Sequence, residues 1–104
     1  MIVISVTKNG NKIANKLQSI FPNLKIVTRE DVVEVGLKNI TKTAMKEYKT
    51  IIFIASTGIA VRAIAPWVRD KRTDPAVLVI DSEATYVISL LSGHLGGANK
   101  VAEY

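Results

Sequence analysis

Three short segments, Ile2 to Val6, Thr50 to Ala55 and Ala76 to Ile80, are apolar at almost every position and rich in β-branched residues. A strand with one wet face alternates apolar and polar residues, whereas a strand that does not alternate is covered on both faces. A fold containing three such strands needs helices above and below its sheet, and the intervening sequence supplies them. From about Asn9 to Ile20 the apolar residues Ile13, Leu17 and Ile20 form one stripe. Lys8, Lys12 and Lys16 recur at every fourth position, as on the solvated face of an amphipathic helix that Pro22 ends. Leu24 to Thr28 reads as a short strand, and Arg29 to Gly36, with Val32, Val33 and Val35, fits strand or loop. A second helix is expected over about Ile40 to Lys49. Leu37, Ala44 and Tyr48 would face inward, Lys38, Lys42, Lys46 and Lys49 outward, and Thr41 would be its N-cap.

Beyond the Thr50 strand, Gly58 to Ile64 has helical character, and Pro66 kinks or ends it. Lys71 to Pro75 is a charged connector. Ala76 to Ile80 and Tyr86 to Leu91 then read as two strands of an antiparallel hairpin joined through Asp81 to Thr85. The order predicts an α/β fold: a three-layer, open, mixed but mostly parallel sheet with helices on both faces, flavodoxin-like, with a hairpin in the C-terminal half. Leu95 onward reads as a helix that reaches Tyr104 without a stop signal, so residues 1–104 are expected to be one α/β domain and the N-terminal part of a longer protein.

Two arrangements of the second half fit. A full return across the sheet after Gly58 makes the Ala76 strand parallel to the Thr50 strand and sends His94 to the edge opposite Ser56. An early break at Pro66 makes those strands antiparallel and gathers Asp74, Ser56 and His94 on one edge. The second is favoured here because sites in open α/β sheets collect beyond the carboxyl ends of parallel strands.

Composition narrows the classes. No apolar run exceeds about five residues, against the ~20 that cross a bilayer, and the start lacks a basic segment ahead of its apolar run, so neither membrane span nor signal peptide is expected. With no cysteine and one histidine, disulfides are excluded and no metal cluster is visible, which fits a cytoplasmic protein. The net charge of +5 lies in the first half: residues 1–50 carry nine basic and four acidic side chains, residues 51–104 five of each. Basic charge is not concentrated on the glycine-containing turns, and aromatics are 6%, so nucleic acid is not the expected partner.

Two turns can carry chemistry. Ser56-Thr57-Gly58 opens a helix, where free N–H groups and two hydroxyls suit a carboxylate or phosphate; a simple helix cap fits it equally. It matches neither Walker A nor the dinucleotide fingerprint. Around the only histidine, Gly93, Gly96 and Gly97 leave the imidazole accessible, and with an ordinary pKa of ~6.5 it is a candidate general base or acid. Arg62 could fork onto a ligand carboxylate or stay solvated, and Asp74 and Asp81 could be orienting carboxylates or turn residues.

The stretch from Ser56 to Tyr104 resembles the N-terminal region of the CbiG family of cobalamin biosynthesis in three separate segments, TGIAVRAIAP, DPAVLVID and LLSGHLGGAN. Residues 1–49 are similar only in their general layout. The resemblance implies cobalt-precorrin-5A hydrolase activity, which opens the ring A lactone of a cobalt macrocycle and releases acetaldehyde to give cobalt-precorrin-5B. Cobalt would belong to the substrate, and no separate cofactor is implied. On this reading His94 activates water with Asp74 or Asp81 orienting it, and amides near Gly58 or Gly97 hold the oxyanion. Loss of acetaldehyde then follows by a retro-aldol-like cleavage. Ser56, Thr57, Gly58, Arg62, Lys71, Ser92, Gly93, Gly96, Gly97 and Asn99 would bind the substrate's carboxylates, and C-terminal domains of the same chain would be its partners. The alternative is a non-catalytic module that binds an anionic corrinoid or a phosphate-bearing small molecule.

Overall fold

The structure, a computed structural model, describes residues 1–70 and 72–92. The apolar runs form the strands β1 (Ile2–Ser5), β3 (Thr50–Ile54) and β4 (Ala76–Ile80), with β2 (Lys25–Val27) and β5 (Val87–Ser92) at the two sides. All residues of β1 and β4 are buried, as non-alternating sequence requires. The sheet order is β2-β1-β3-β4-β5, with every pair parallel except β4 and β5.

Among the described residues four helices flank it: α1 (Lys8–Ile20), α2 (Arg29–Val35), α3 (Leu37–Glu47) and α4 (Thr57–Ile64), the last continued by a 3-10 turn at Ala65–Trp67. Ala14 of α1, with Ile13 and Leu17, packs on the sheet face carrying Val3, Ile52, Ile54, Leu78 and Ile80. Val32, Ala44, Ala60 and Ala63 of α2, α3 and α4 pack on the opposite face around Ile4, Phe53 and Val77. The mixed, mostly parallel sheet and the hairpin are as the sequence predicts.

Three local expectations need correction. Arg29 to Val35 is a helix, because Thr28 accepts from the Asp31 N–H at 3.2 Å while the Asp31 carboxylate accepts from the Thr28 N–H at 3.0 Å, a reciprocal capping box. Helix α3 begins at Leu37 behind Gly36, whose φ of 94° only glycine adopts freely, so Thr41 is not the N-cap but a buried residue inside the helix. The third concerns direction: β4 runs parallel to β3, in register from Thr50 with Ala76 to Ile54 with Ile80. Pro66 does end α4, yet eight helical residues cover about 12 Å and the 3-10 turn about 6 Å more, enough to recross a five-residue strand of about 17 Å.

Candidate functional site

The parallel direction of β4 divides the candidate residues between two edges. Ser5, Ile54 and Ile80 are level in neighbouring strands, so Thr7, Ser56 and Asp81 lie together beyond the carboxyl ends of β1, β3 and β4. Strand β5 runs the other way and Ser92 pairs with Ala76, so Asp74 and Ser92 belong to the opposite, amino-terminal edge. The single rim expected to join Asp74 to Ser56 is therefore not formed. His94, Gly93, Gly96, Gly97, Asn99 and Lys71 lie outside the described residues.

At the carboxyl edge β1 and β3 are adjacent, but α1 leaves toward β2 on one face and α4 toward β4 on the other. This is the switch point at which doubly wound sheets open a crevice. Both helices start there. Thr7 Oγ1 caps α1 by accepting from the Gly10 N–H at 2.9 Å, and Ser56 Oγ caps α4 by accepting from the Ile59 N–H at 3.4 Å. Ser56, Thr57 and Gly58 are exposed, as is Arg62 one turn into α4. Two helix starts side by side offer partial positive charge and unpaired amides to an anion.

The α1 half of this crevice, Ser5 to Gly10, is not among the residues picked out from sequence. Its signal is Thr7 at the end of an apolar strand, a cap residue just ahead of the lysine row. Gly10 allows α1 to approach the sheet closely, since a Cβ there would stand 2.5 Å from Ser5 Oγ and 2.9 Å from Ile54 Cγ2. Asn9 Nδ2–H donates to the Ser82 carbonyl and ties α1 to the hairpin.

Asp81 closes that hairpin. Its Oδ1 accepts from the Thr85 and Tyr86 N–H groups, each at 2.7 Å. The Tyr86 N–H above all, with the Thr85 N–H adding, holds this carboxyl below its ordinary value. Asp81 is thus an ionised acceptor that shapes a turn.

The amino edge carries a cleft of about 690 Å³ to which Lys46, Glu47, Lys49, Arg72, Thr73 and Asp74 contribute. A hollow of about 170 Å³ sharing Lys46, Thr73 and Asp74 adds Lys42, Trp67 and Arg69, with Lys42 Nζ 5.5 Å from the centre of the Trp67 ring. Asp74 Oδ2 accepts from the Arg69 N–H at 2.8 Å and the Asp70 N–H at 3.1 Å, which closes the connector before β4. Asp70 is itself held below its ordinary value, first by the Arg72 N–H and then by the Arg72 guanidinium. No group of three His, Asp or Glu able to hold a metal is found among the described residues, and no helix there is long and apolar enough to cross a membrane.

Fold and site together define an α/β domain with a doubly wound parallel core, two capped helix starts at its switch point and, at the far edge, a cleft where Lys46, Lys49 and Arg72 meet Glu47 and Asp74. Residues 39–104 match the family model described as Cobalamin synthesis G N-terminal, and the chain belongs to that family. It is 44% identical over 106 residues to the cobalt-precorrin-5A hydrolase of Salmonella typhimurium, covering 95% of this chain and 30% of that one. It is 38% identical over 111 residues to the cobalt-precorrin-5A hydrolase of Priestia megaterium, with the same coverage of 95% and 30%. A crystal structure of a cobalamin biosynthesis protein G homolog from Sulfolobus solfataricus superposes with a TM-score of 0.75 at 31% identity, over 98% of this chain and 32% of that one. The chain thus spans about 30% of the length of these relatives.

Proposed function

We propose that this chain is the N-terminal domain of a cobalt-precorrin-5A hydrolase, binding the polycarboxylate cobalt macrocycle whose ring A lactone is opened with release of acetaldehyde. The observation that carries the proposal is the 44% identity over 95% of the chain to an enzyme of that name. The two edges take different parts in it. At the carboxyl edge, the amides behind Thr7 and Ser56, with Thr57, Gly58 and Arg62, receive peripheral carboxylates. At the amino edge, Lys46, Lys49 and Arg72 offer positive charge beside Asp74.

In this reading His94 is the general base: its imidazole takes a proton from water as it adds to the lactone carbonyl, and returns it to the departing alkoxide. Asp74, whose Oδ1 has no hydrogen-bond partner among the described residues, orients the imidazole through that oxygen. Asp81, spent on its hairpin at the other edge, has a structural role in this scheme.

The test supplies cobalt-precorrin-5A to the 104-residue chain and to a Salmonella-length relative, measuring acetaldehyde from each. His94→Ala in the longer protein is expected to abolish acetaldehyde release with macrocycle binding retained, and unchanged turnover would remove His94 from the chemistry. A binding module is the second reading, favoured by the 30% coverage of the relatives. It predicts that the short chain binds the macrocycle and releases nothing.

A further inference from the structure

Lys42 and Lys46 stand one turn apart on α3 and so share a face of that helix. The chain after α4 brings Trp67 and Arg69 beside them, and the hollow of about 170 Å³ that results has these three cations in its wall and one acidic residue, Asp74. That carboxylate is engaged with its own connector, accepting from the Arg69 and Asp70 N–H groups through Oδ2. The adjoining cleft sets Glu47 as well as Asp74 against Lys46, Lys49 and Arg72, so the excess of positive charge is greater in the hollow. Trp67 is half-buried, and Lys42 Nζ stands 5.5 Å from the centre of its ring. A cation–π contact at an exposed site is weak, so Lys42 can turn from the indole to an anion at little cost.

We infer, resting on the reading of the amino edge as a macrocycle site, that this hollow seats one carboxylate-bearing ring of a cyclic tetrapyrrole, its carboxylate between Lys42 and Arg69 and its ring against Trp67. Charge, shape and size choose this ligand part together. Arg69 offers a planar fork to a carboxylate and Lys42 a second charge. The indole adds a flat apolar surface that stacks on a conjugated ring, which a site for a bare carboxylate does not need. The hollow is well under the ~300 Å³ of a complete small-molecule site, so it takes one ring with its arm. It shares Lys46, Thr73 and Asp74 with the 690 Å³ cleft, where the rest of a larger ligand lies.

Trp67 is the only tryptophan, so a nitrogen–proton correlation spectrum of the 104-residue chain carries one indole N–H signal, and that signal reports the hollow. The probes are opsopyrrole dicarboxylate, a single pyrrole carrying an acetate and a propionate arm, and pimelate, which spaces two carboxylates by the same number of carbons without a ring. The pyrrole is expected to shift the indole signal saturably and to bind about three- to tenfold tighter than pimelate. Lys42→Ala with Arg69→Ala is expected to weaken it about tenfold or more, while Lys12→Ala on α1 leaves it unchanged. Unshifted signals away from the hollow show that each variant is folded. Trp67→Leu, followed at the Thr73 amide, brings the two probes to equal affinity. Equal affinities in the parent, an unchanged affinity in the double variant, or an indole shift that does not saturate overturns the seat. Acetaldehyde release by the longer relative is the separate readout of the hydrolase reading: release without pyrrole binding removes the seat alone, and pyrrole binding without release removes that reading and leaves the seat.

Discussion

Two glycines near the start of two helices at the same sheet edge respond oppositely to an added methyl group. At Gly10 a Cβ would stand 2.5 Å from Ser5 Oγ, 2.9 Å from Ile54 Cγ2 and 3.1 Å from Thr7 Oγ1. Neither Ser5 nor Ile54 can swing out, since both are fully buried and Ser5 Oγ donates to the Thr7 carbonyl at 2.8 Å. Overpacking of this kind costs about 1–3 kcal/mol, and displacing the serine hydroxyl from its acceptor adds about 1–3 kcal/mol. The helix propensity gained by replacing glycine with alanine offsets at most about 1 kcal/mol. Gly10→Ala is therefore expected to lose about 2 kcal/mol or more, which for a domain of this size lowers the melting temperature by roughly 8–16 °C. At Gly58 a Cβ meets nothing within 4 Å, so Gly58→Ala is expected to be neutral or to gain up to about 1 kcal/mol. Urea unfolding followed by circular dichroism measures both. A Gly10→Ala protein as stable as the parent would refute the close approach of α1 to β1 and β3, and a Gly58→Ala protein losing as much would refute the open space beside Gly58 in α4.

Thr41 Oγ1 is buried without a hydrogen-bond partner among the described residues, so Thr41→Val, of similar shape, is expected to stabilise by about 1–3 kcal/mol, read as a higher urea midpoint at unchanged slope. Ser56→Ala removes the α4 cap and is expected to cost about 1 kcal/mol, less if the 3.4 Å bond is as weak as its length implies. Thermal melts of the two proteins decide it. Asp81 gives a pH signature. Its folded carboxyl lies below the ordinary 3.8, so its contribution to stability is complete above that value and is lost as pH falls through the lower, folded value. Asp81→Asn should be less stable than the parent at pH 7, with the difference closing below about pH 3.8; a gap that persists in acid would contradict it.

What sequence made legible followed how local each cause was. The strands β1, β3 and β4 were readable because burial on both faces leaves its mark in every residue. Helix α2 was not, since Val32, Val33 and Val35 lean toward strand while the deciding interaction is the reciprocal Thr28 and Asp31 pair at its start. Thr41 looked like a cap because it precedes a helical stripe, but Gly36 with its positive φ begins the helix a turn earlier. The direction of β4 was decided by the length of α4 plus its 3-10 turn against the height of the sheet, a comparison that no single residue announces.

Charge shows the same limit in the candidate site. Lys38, Lys42, Lys46 and Lys49 read as a solvated helix face, which they are: each is exposed. Yet Trp67, Arg69 and Arg72 arrive beside Lys42 and Lys46 from more than twenty residues later, once α4 has recrossed the sheet and the connector has folded around Asp74. Two ordinary stretches become one cationic cleft only through that topology. Around the cleft Lys46, Lys49 and Arg72 outnumber Glu47 and Asp74, which leaves a net repulsion among the cations, the 3.5 Å pair of Arg72 with Asp70 being exposed and weak. An anion that fills the cleft relieves that repulsion in the folded state alone, so a polycarboxylate should raise the melting temperature, and Lys46→Glu with Lys49→Glu should remove the rise without lowering the unliganded melt. A rise that survives both substitutions would place the anion at the helix starts of the opposite edge.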